Sequence, residues 1–329
     1  MNRRQVLLGG AALAACSPVA RAAPSFPMRR GVNLGNALEA PNEGDWGYRI
    51  EESHLAAIAG AGFDGVRLPV RWDAHTAAEA PYAIHADFMV RVENVVSQAL
   101  AHGLKVQLDC HHYDDLLTDP HGQRTRYLAI WRQIAARFAH APEALFFEPL
   151  NEPNGDSWSG ARVASLQAEV LRVIREHNLA RLVVLGGPNW NSLDGLDDWT
   201  PPRDPHVAAT FHYYEPHDFT HENAEWLRPH APHFGRRWGS DADVAQVQEH
   251  MRHAASWASA RSMALQLGEF GVNAALPLAQ RALWTKTVRQ AAEAFGLAWC
   301  VWDFAGAFPI YDRPKQRFIP EMRAALFDQ

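Results

Sequence analysis

Two glutamates stand behind apolar runs: Glu152 follows LFFEPLN, and Glu269 follows ALQLG. A lone glutamate after a strand is usually a solvated loop residue. Two carboxylates facing each other across a cleft have a definite use, the hydrolysis of a glycosidic bond. One protonates the leaving oxygen, and the other attacks the sugar or activates water. That chemistry requires both runs to end on the same face of one fold.

The elements that would position them recur along the chain. Short apolar runs at Val32-Leu34, Gly65-Pro69, Lys105-Cys110, Leu145-Leu150, Leu182-Leu185, Val207-Phe211, Ala264-Leu267 and Ala298-Trp302 read as strands. Between them Val92, Val96, Ala99 and Leu100 recur at helical spacing, as do Ile130, Ile134 and Phe138, and Leu166, Val170, Val173 and Ile174. Eight strand-helix repeats without a linker or a composition shift predict an α/β fold, a single (β/α)8 TIM barrel over residues 23–329. The fifth repeat is the weakest, because residues 191–205 hold at best a short helix. An open doubly wound sheet is disfavoured, since no G-x-G-x-x-G follows the first strand. The longest loop, from about Tyr213 to Asp243, carries His217, His221, Trp226 and Trp238, and loops of that length tend to be functional.

In such a barrel the chemistry sits where the strands end. There the sequence puts Asn33 and Asn36, Arg67, His111 and His112, Asn151 and Glu152, Trp190, His212 and Tyr214, Glu269 and Trp302. Strands four and seven lie across the barrel mouth from each other, which makes Glu152 and Glu269 the pair to follow.

Composition narrows the alternatives. The 329 residues carry 31 Lys+Arg against 37 Asp+Glu, a mild acidity that argues against a nucleic-acid partner. Hydrophobic residues at 47% and charged residues at 21% exclude disordered and low-complexity classes. Seventeen histidines and the His111-His112 pair raise a metal-dependent barrel hydrolase, but neither H-x-H nor H-E-x-x-H occurs, and His217, His221, His230 and His233 read as solvated loop residues. No metal or cofactor is expected. A non-catalytic sugar-binding barrel is the other alternative, and the presence of both glutamates speaks against it.

Residues 1–22 read as an export signal: Arg3-Arg4 precede the apolar run Val6-Ala15, too short for the ~20 residues of a membrane span. Cleavage after Ala22 would release the chain, whereas Leu13-Ala14-Ala15-Cys16 resembles a lipobox that would anchor it through Cys16. The expected location is periplasmic or extracellular. Cys110 and Cys300 then remain, read as buried free thiols.

The motifs GVRLPVRW from Gly65, LDCHH from Leu108, Asn151-Glu152-Pro153, FHYY from Phe211, LGEFG from Leu267 and Trp302-Asp303-Phe304 resemble glycoside hydrolase family 5, the cellulase family, in order along the mature chain. GVNLGNALEAP from Gly31 looks closest to the bacterial branch acting on β-1,4-glucans, some members of which cleave mannans and mixed-linkage glucans. The resemblance implies a retaining endo-glucanase working as a monomer, with a β-mannanase as the alternative on the same fold. It implies Glu152 as acid/base and Glu269 as nucleophile. Arg67 and Tyr214 would hold Glu269 ionised, His212 would tune Glu152, Asn151 and His111 would contact the sugar, and Trp302 would be its floor. By the same resemblance Asn36, Glu39 and His112 line the glycone side. Trp46, Trp190 and Trp226 are candidates for further sugar platforms, with ordinary packing as the alternative reading.

Overall fold

The computed structural model describes residues 24–328 apart from 225, 228–234 and 236, so the leader with Cys16, and His230 and His233, lie outside the described residues. The expected barrel is present. Strands β1 (Arg30–Asn33), β2 (Gly65–Val70), β3 (Lys105–Cys110), β4 (Leu145–Glu148), β5 (Val183–Gly186), β6 (Val207–His212), β7 (Leu265–Glu269) and β8 (Ala298–Val301) pair in parallel in sequence order, and β1 closes on β8.

Helices wrap the outside: α1 (Glu52–Ala61), α2 (Ala86–Ala101), α3 (Asp114–Thr118), α4 (Arg124–Arg137), α5 (Gly160–Arg175), α6 (Leu193–Asp197), α7 (His217–Thr220), α8 (Asp241–Arg261), α9 (Leu278–Ala294) and α10 (Pro320–Phe327). The apolar spacing read from the sequence becomes the buried faces of α2 and α5. Phe138 caps α4 rather than continuing it. The weak fifth repeat is α6, one turn capped by the Ser192 hydroxyl. Among the described residues no helix is long and apolar enough to cross a membrane.

Most strand bounds shift by one or two residues from expectation, and two of the ends bear on the site. β4 stops at Glu148 instead of Leu150, because Pro149 has no N–H to continue the ladder. β8 stops at Val301, so Trp302 begins the following loop.

Strand alternation divides the core in two. Outward residues such as Val66, Leu68, Val106, Leu108, Phe147, Leu185, Phe211, Leu267 and Trp299 pack with the helices. Inward, Phe146, Val184, Ala208, Ala298 and Cys300 form a small apolar cluster with Phe26 and Met28 of the segment entering β1. Farther along the same strands the inward positions turn polar and remain fully buried: Asn33, Arg67, Gln107, Asp109, Glu148, Thr210 and Gln266. The barrel is therefore plugged with apolar side chains at one end and filled with hydrogen-bonding groups toward the end where the strands finish.

Candidate active site

Arg67 organises the polar end. Its guanidinium is fully buried, and its charge is satisfied on all sides. Nε and Nη2 donate to the two oxygens of Glu148 at 2.6 and 2.9 Å, a fork that matches carboxylate geometry. Nη2 also donates to Asn151 Oδ1 at 2.6 Å and lies 3.0 Å from Asp109. Nη1 donates to Asn33 at 2.9 Å and to Glu269 at 2.6 Å. Three carboxylates around one cation hold its proton more firmly than in an ordinary arginine, although burial works in the other direction.

Glu148, Asp109 and Gln107, which donates to Glu148 at 2.7 Å, were not singled out from the sequence. A signal existed: each is polar at an inward position of an otherwise apolar strand.

Glu269 reaches the site through a bulge. Phe211 pairs with Leu267, but His212 pairs with Glu269, so Gly268 is an extra residue in β7. Without it, alternation would send the Glu269 side chain toward the helices. The bulge tolerates no side chain: a Cβ on Gly268 would lie 2.3 Å from Thr210 Oγ1 and 3.3 Å from His212 Nε2.

Thus aimed, Glu269 accepts from Arg67 through one oxygen and from the Tyr214 hydroxyl at 2.8 Å through the other. Burial pushes its pKa up to about 7, against the lowering influence of His212, Arg67 and Tyr214.

Glu152 follows β4 beyond Pro149, and its side chain stays a quarter exposed at the cleft. One of its oxygens lies 2.5 Å from His212 Nδ1, which is also 3.6 Å from Glu269. Burial pushes Glu152 up to about 8, and Arg67 opposes this. Burial also drives His212 down to about 4, so its ring is neutral and one proton is shared between Glu152 and His212. Ligand atoms of Glu152, His212 and Glu269 all lie within 4.8 Å of one another. Two carboxylates and an imidazole this close could hold a cation. Here Arg67 already supplies the positive charge, Arg67 and Tyr214 take both Glu269 oxygens, and His212 takes one of Glu152, so the donor set does not favour a metal.

A second chain of bonds fixes Asn151. His111, kept neutral by burial, shares a 2.6 Å bond between Nδ1 and Asp109, and Asn151 Nδ2 approaches its Nε2 at 3.4 Å. With Arg67 on its oxygen, the Asn151 amide is tied at both ends. Asn191, also missed in the sequence, is fully buried, donates to the Asn151 carbonyl and accepts from the His212 N–H at 2.8 Å. It ends a run, Asn189-Trp190-Asn191, with φ of 55, 57 and 54°, a left-handed stretch that costs non-glycine residues energy and is held by these bonds.

Trp302, half-buried, stacks on His111 with 5.3 Å between centroids and 6° between planes. His112 meets His111 edge-on at 4.8 Å and Trp46 at 5.8 Å. Glu39 is buried, and its carboxylate accepts from the backbone of Asn36 and from Ala37 at 2.9 Å, so it braces the loop after β1. Asn36 sits in that turn with φ 65°. Trp190 and Trp226 are exposed, at 56% and 54%.

The long loop is corrected in two respects. It holds the one-turn α7 and ends at Ser240, where a capping box starts α8. His221 is buried rather than solvated: it stacks on the exposed His217 at 4.0 Å and meets Tyr214 edge-on at 4.9 Å. Trp238 is buried packing. Cys110 and Cys300 are buried free thiols, as expected.

Comparison with known proteins bears on the family and the fold. The profile of the family described as "Cellulase (glycosyl hydrolase family 5)" matches residues 28–307. Endoglucanase H of Acetivibrio thermocellus is 36% identical over 308 residues, covering 92% of this chain and 33% of that protein, so the chain spans about a third of this relative's length. A solved structure titled "endoglucanase" superposes with a TM-score of 0.89 at 39% identity, covering 92% of this chain and 97% of that one. Thermotoga maritima Cel5A, solved in complex with cellobiose, gives 0.89 at 37% identity over 91% and 97% of the two chains. The same enzyme in complex with mannotriose gives 0.89 at 36% identity over the same shares. With a family match over most of the barrel and these relatives on either side of it, the chain belongs to glycoside hydrolase family 5.

Proposed function

We propose that the protein is a retaining, endo-acting hydrolase of β-1,4-linked glucans, with Glu269 as nucleophile and Glu152 as acid/base. The observation that carries this reading is the spacing of the pair. Carboxylate oxygens within 4.8 Å leave no room for the water that an inverting enzyme places between carboxyls ~6.5–9.5 Å apart.

In the first step a Glu269 oxygen bonds to the anomeric carbon, the glycosidic C–O bond breaks, and the Glu152 proton goes to the leaving oxygen. Arg67 and Tyr214 favour the anion that attacks, and burial beside His212 keeps Glu152 protonated. Once the glycosyl ester forms, the negative charge on Glu269 is gone, and Glu152 can take a proton from water as that water cleaves the ester. In this reading Asn151, fixed at both ends, bonds the sugar 2-hydroxyl, and Trp302 lies under the ring.

The test is hydrolysis of cellopentaose followed by proton NMR. Retention predicts the β-anomer as first product, and α first would overturn the mechanism. Unchanged turnover in EDTA is expected, and its loss would restore the metal reading. Because Cel5A binds mannotriose as well as cellobiose, glucomannan is the second substrate to assay. Export rests on the leader alone, and N-terminal sequencing of the secreted or lipid-extracted chain would identify a start at Ala23 or Cys16.

A further inference from the structure

We propose that Thr210, Gln266 and Asn191 hold a buried water against His212 Nε2, and that Thr210, acting through this water, is a positioning residue for the proton of Glu152. The inference rests on the hydrolase reading above and deepens it.

The site is marked by polar atoms without partners. Thr210 Oγ1, both amide atoms of Gln266, Asn191 Oδ1 and His212 Nε2 are buried and accept or donate no hydrogen bond among the described residues. The fold brings them together. Thr210 and His212 point inward two residues apart on β6, and the register partners of Thr210 are Gln266 on β7 and Gly186 on β5. Gly186 leaves its inward side to the Asn191 amide, which a Cβ there would strike. A Cβ on Gly268 would meet both Thr210 Oγ1 and His212 Nε2, so these two atoms are neighbours, yet they share no direct bond. Orphaned polar groups in a dry interior are costly, and a buried water with about three polar partners is the usual remedy.

The partners orient that water. Two carboxylates face His212 Nδ1, Glu152 at 2.5 Å and Glu269 at 3.6 Å, and favour the ring proton on that nitrogen. The other charges acting on the ring, Arg67 and Glu148, are paired with each other. Nε2 is then bare and needs a donor. Asn191 Oδ1 only accepts, so the water gives one hydrogen to Asn191 and one to Nε2, and takes the Thr210 hydroxyl hydrogen. Held in this tautomer, the ring donates from Nδ1 to one oxygen of Glu152 and leaves the acid's own proton on the other, at the cleft. Without the water the ring proton can settle on Nε2, and a bare Nδ1 draws the Glu152 proton away from the leaving oxygen.

The experiment compares kcat/KM on cellopentaose, whose leaving sugar needs a proton, with kcat/KM on dinitrophenyl β-cellobioside, whose leaving group does not. In Thr210→Val the ratio of the second to the first should rise about tenfold, part of what a positioned acid supplies. The alkaline limb on cellopentaose should move to higher pH, because a bond favouring the Glu152 anion is lost. Thr210→Ser keeps the hydroxyl and should behave as the wild type, and a crystal structure of the wild type should show a water bonded to both Thr210 Oγ1 and His212 Nε2. A dry gap there, an unchanged ratio, an equal loss on both substrates from damage to the fold, or a serine variant that matches the valine one would overturn the proposal. Failure of the wild type to cleave either substrate would instead sink the glucanase reading beneath it.

Discussion

The Tyr214 hydroxyl donates to Glu269 at 2.8 Å, on the carboxylate oxygen that Arg67 leaves free. That bond favours the ionised carboxylate, so removing it in Tyr214→Phe should raise the Glu269 pKa above its present value of about 7. Attack requires Glu269 ionised, so the acidic limb of kcat/KM should move to higher pH, by about one unit for the loss of one bond to a charged group. The alkaline limb belongs to Glu152, held at His212, and should stay in place. Paired pH-rate profiles check this, and parallel movement of both limbs would contradict the assignment.

The two roles separate further by chemical rescue. Glu269→Ala should lose roughly 10³-fold or more in turnover while remaining folded. Azide entering the vacated space should restore activity and yield the α-glycosyl azide, because only one displacement then occurs. Glu152→Ala should instead keep a measurable first step on substrates whose leaving group needs no proton. Azide rescue giving the α product from the Glu152 variant would reverse the roles.

Glu148 touches no substrate in this scheme, yet it takes the fork of a buried arginine whose other arm holds Glu269. Glu148→Ala leaves the Arg67 Nε without its acceptor and removes one of the partners of Nη2 in a dry interior, at an expected cost of about 3–5 kcal/mol by chemical denaturation. Glu148→Gln preserves one acceptor and should cost less. In both, Arg67 loses part of the clamp that aims its other arm at Glu269, so kcat should fall more than KM rises. A stability loss with wild-type kcat would show that Glu148 serves the core alone.

The sequence carried the barrel well because parallel strands buried on both faces are largely apolar runs, separated by segments of helical period. It carried Glu152, Glu269, His212 and Tyr214 because a polar residue at or after the end of such a run is conspicuous, and Arg67, inside β2, because GVRLPVRW resembles a family motif. Glu148 and Asp109 escaped because they sit inside the runs, and their partner Arg67 is identified only once the register sets Asp109 beside Glu148. The bulge at Gly268, which aims Glu269 inward, is a single extra residue that leaves no mark on the apolar pattern. Asn191 escaped for a related reason: its bonds are to backbone groups of Asn151 and His212, which no side-chain spacing encodes.

Gly35 offers a last test, of the floor rather than the acids. A Cβ there would stand 2.9 Å from two carbons of the Trp302 indole and 3.2 Å from the Asp303 Cβ. One face of the indole rests on the parallel ring of His111, which Asn151 approaches, so a shift of the indole disturbs that stack. Gly35→Ala should therefore cost about 1–3 kcal/mol of stability through overpacking and raise KM on cello-oligosaccharides as the ring tilts. Adding Trp302→Phe, which trims the benzo edge that would clash, should recover much of the stability but not the KM, since the smaller ring supports less of the sugar. If the double variant were as unstable as the sum of the two single changes, the cost at Gly35 would lie in its backbone and not in this contact.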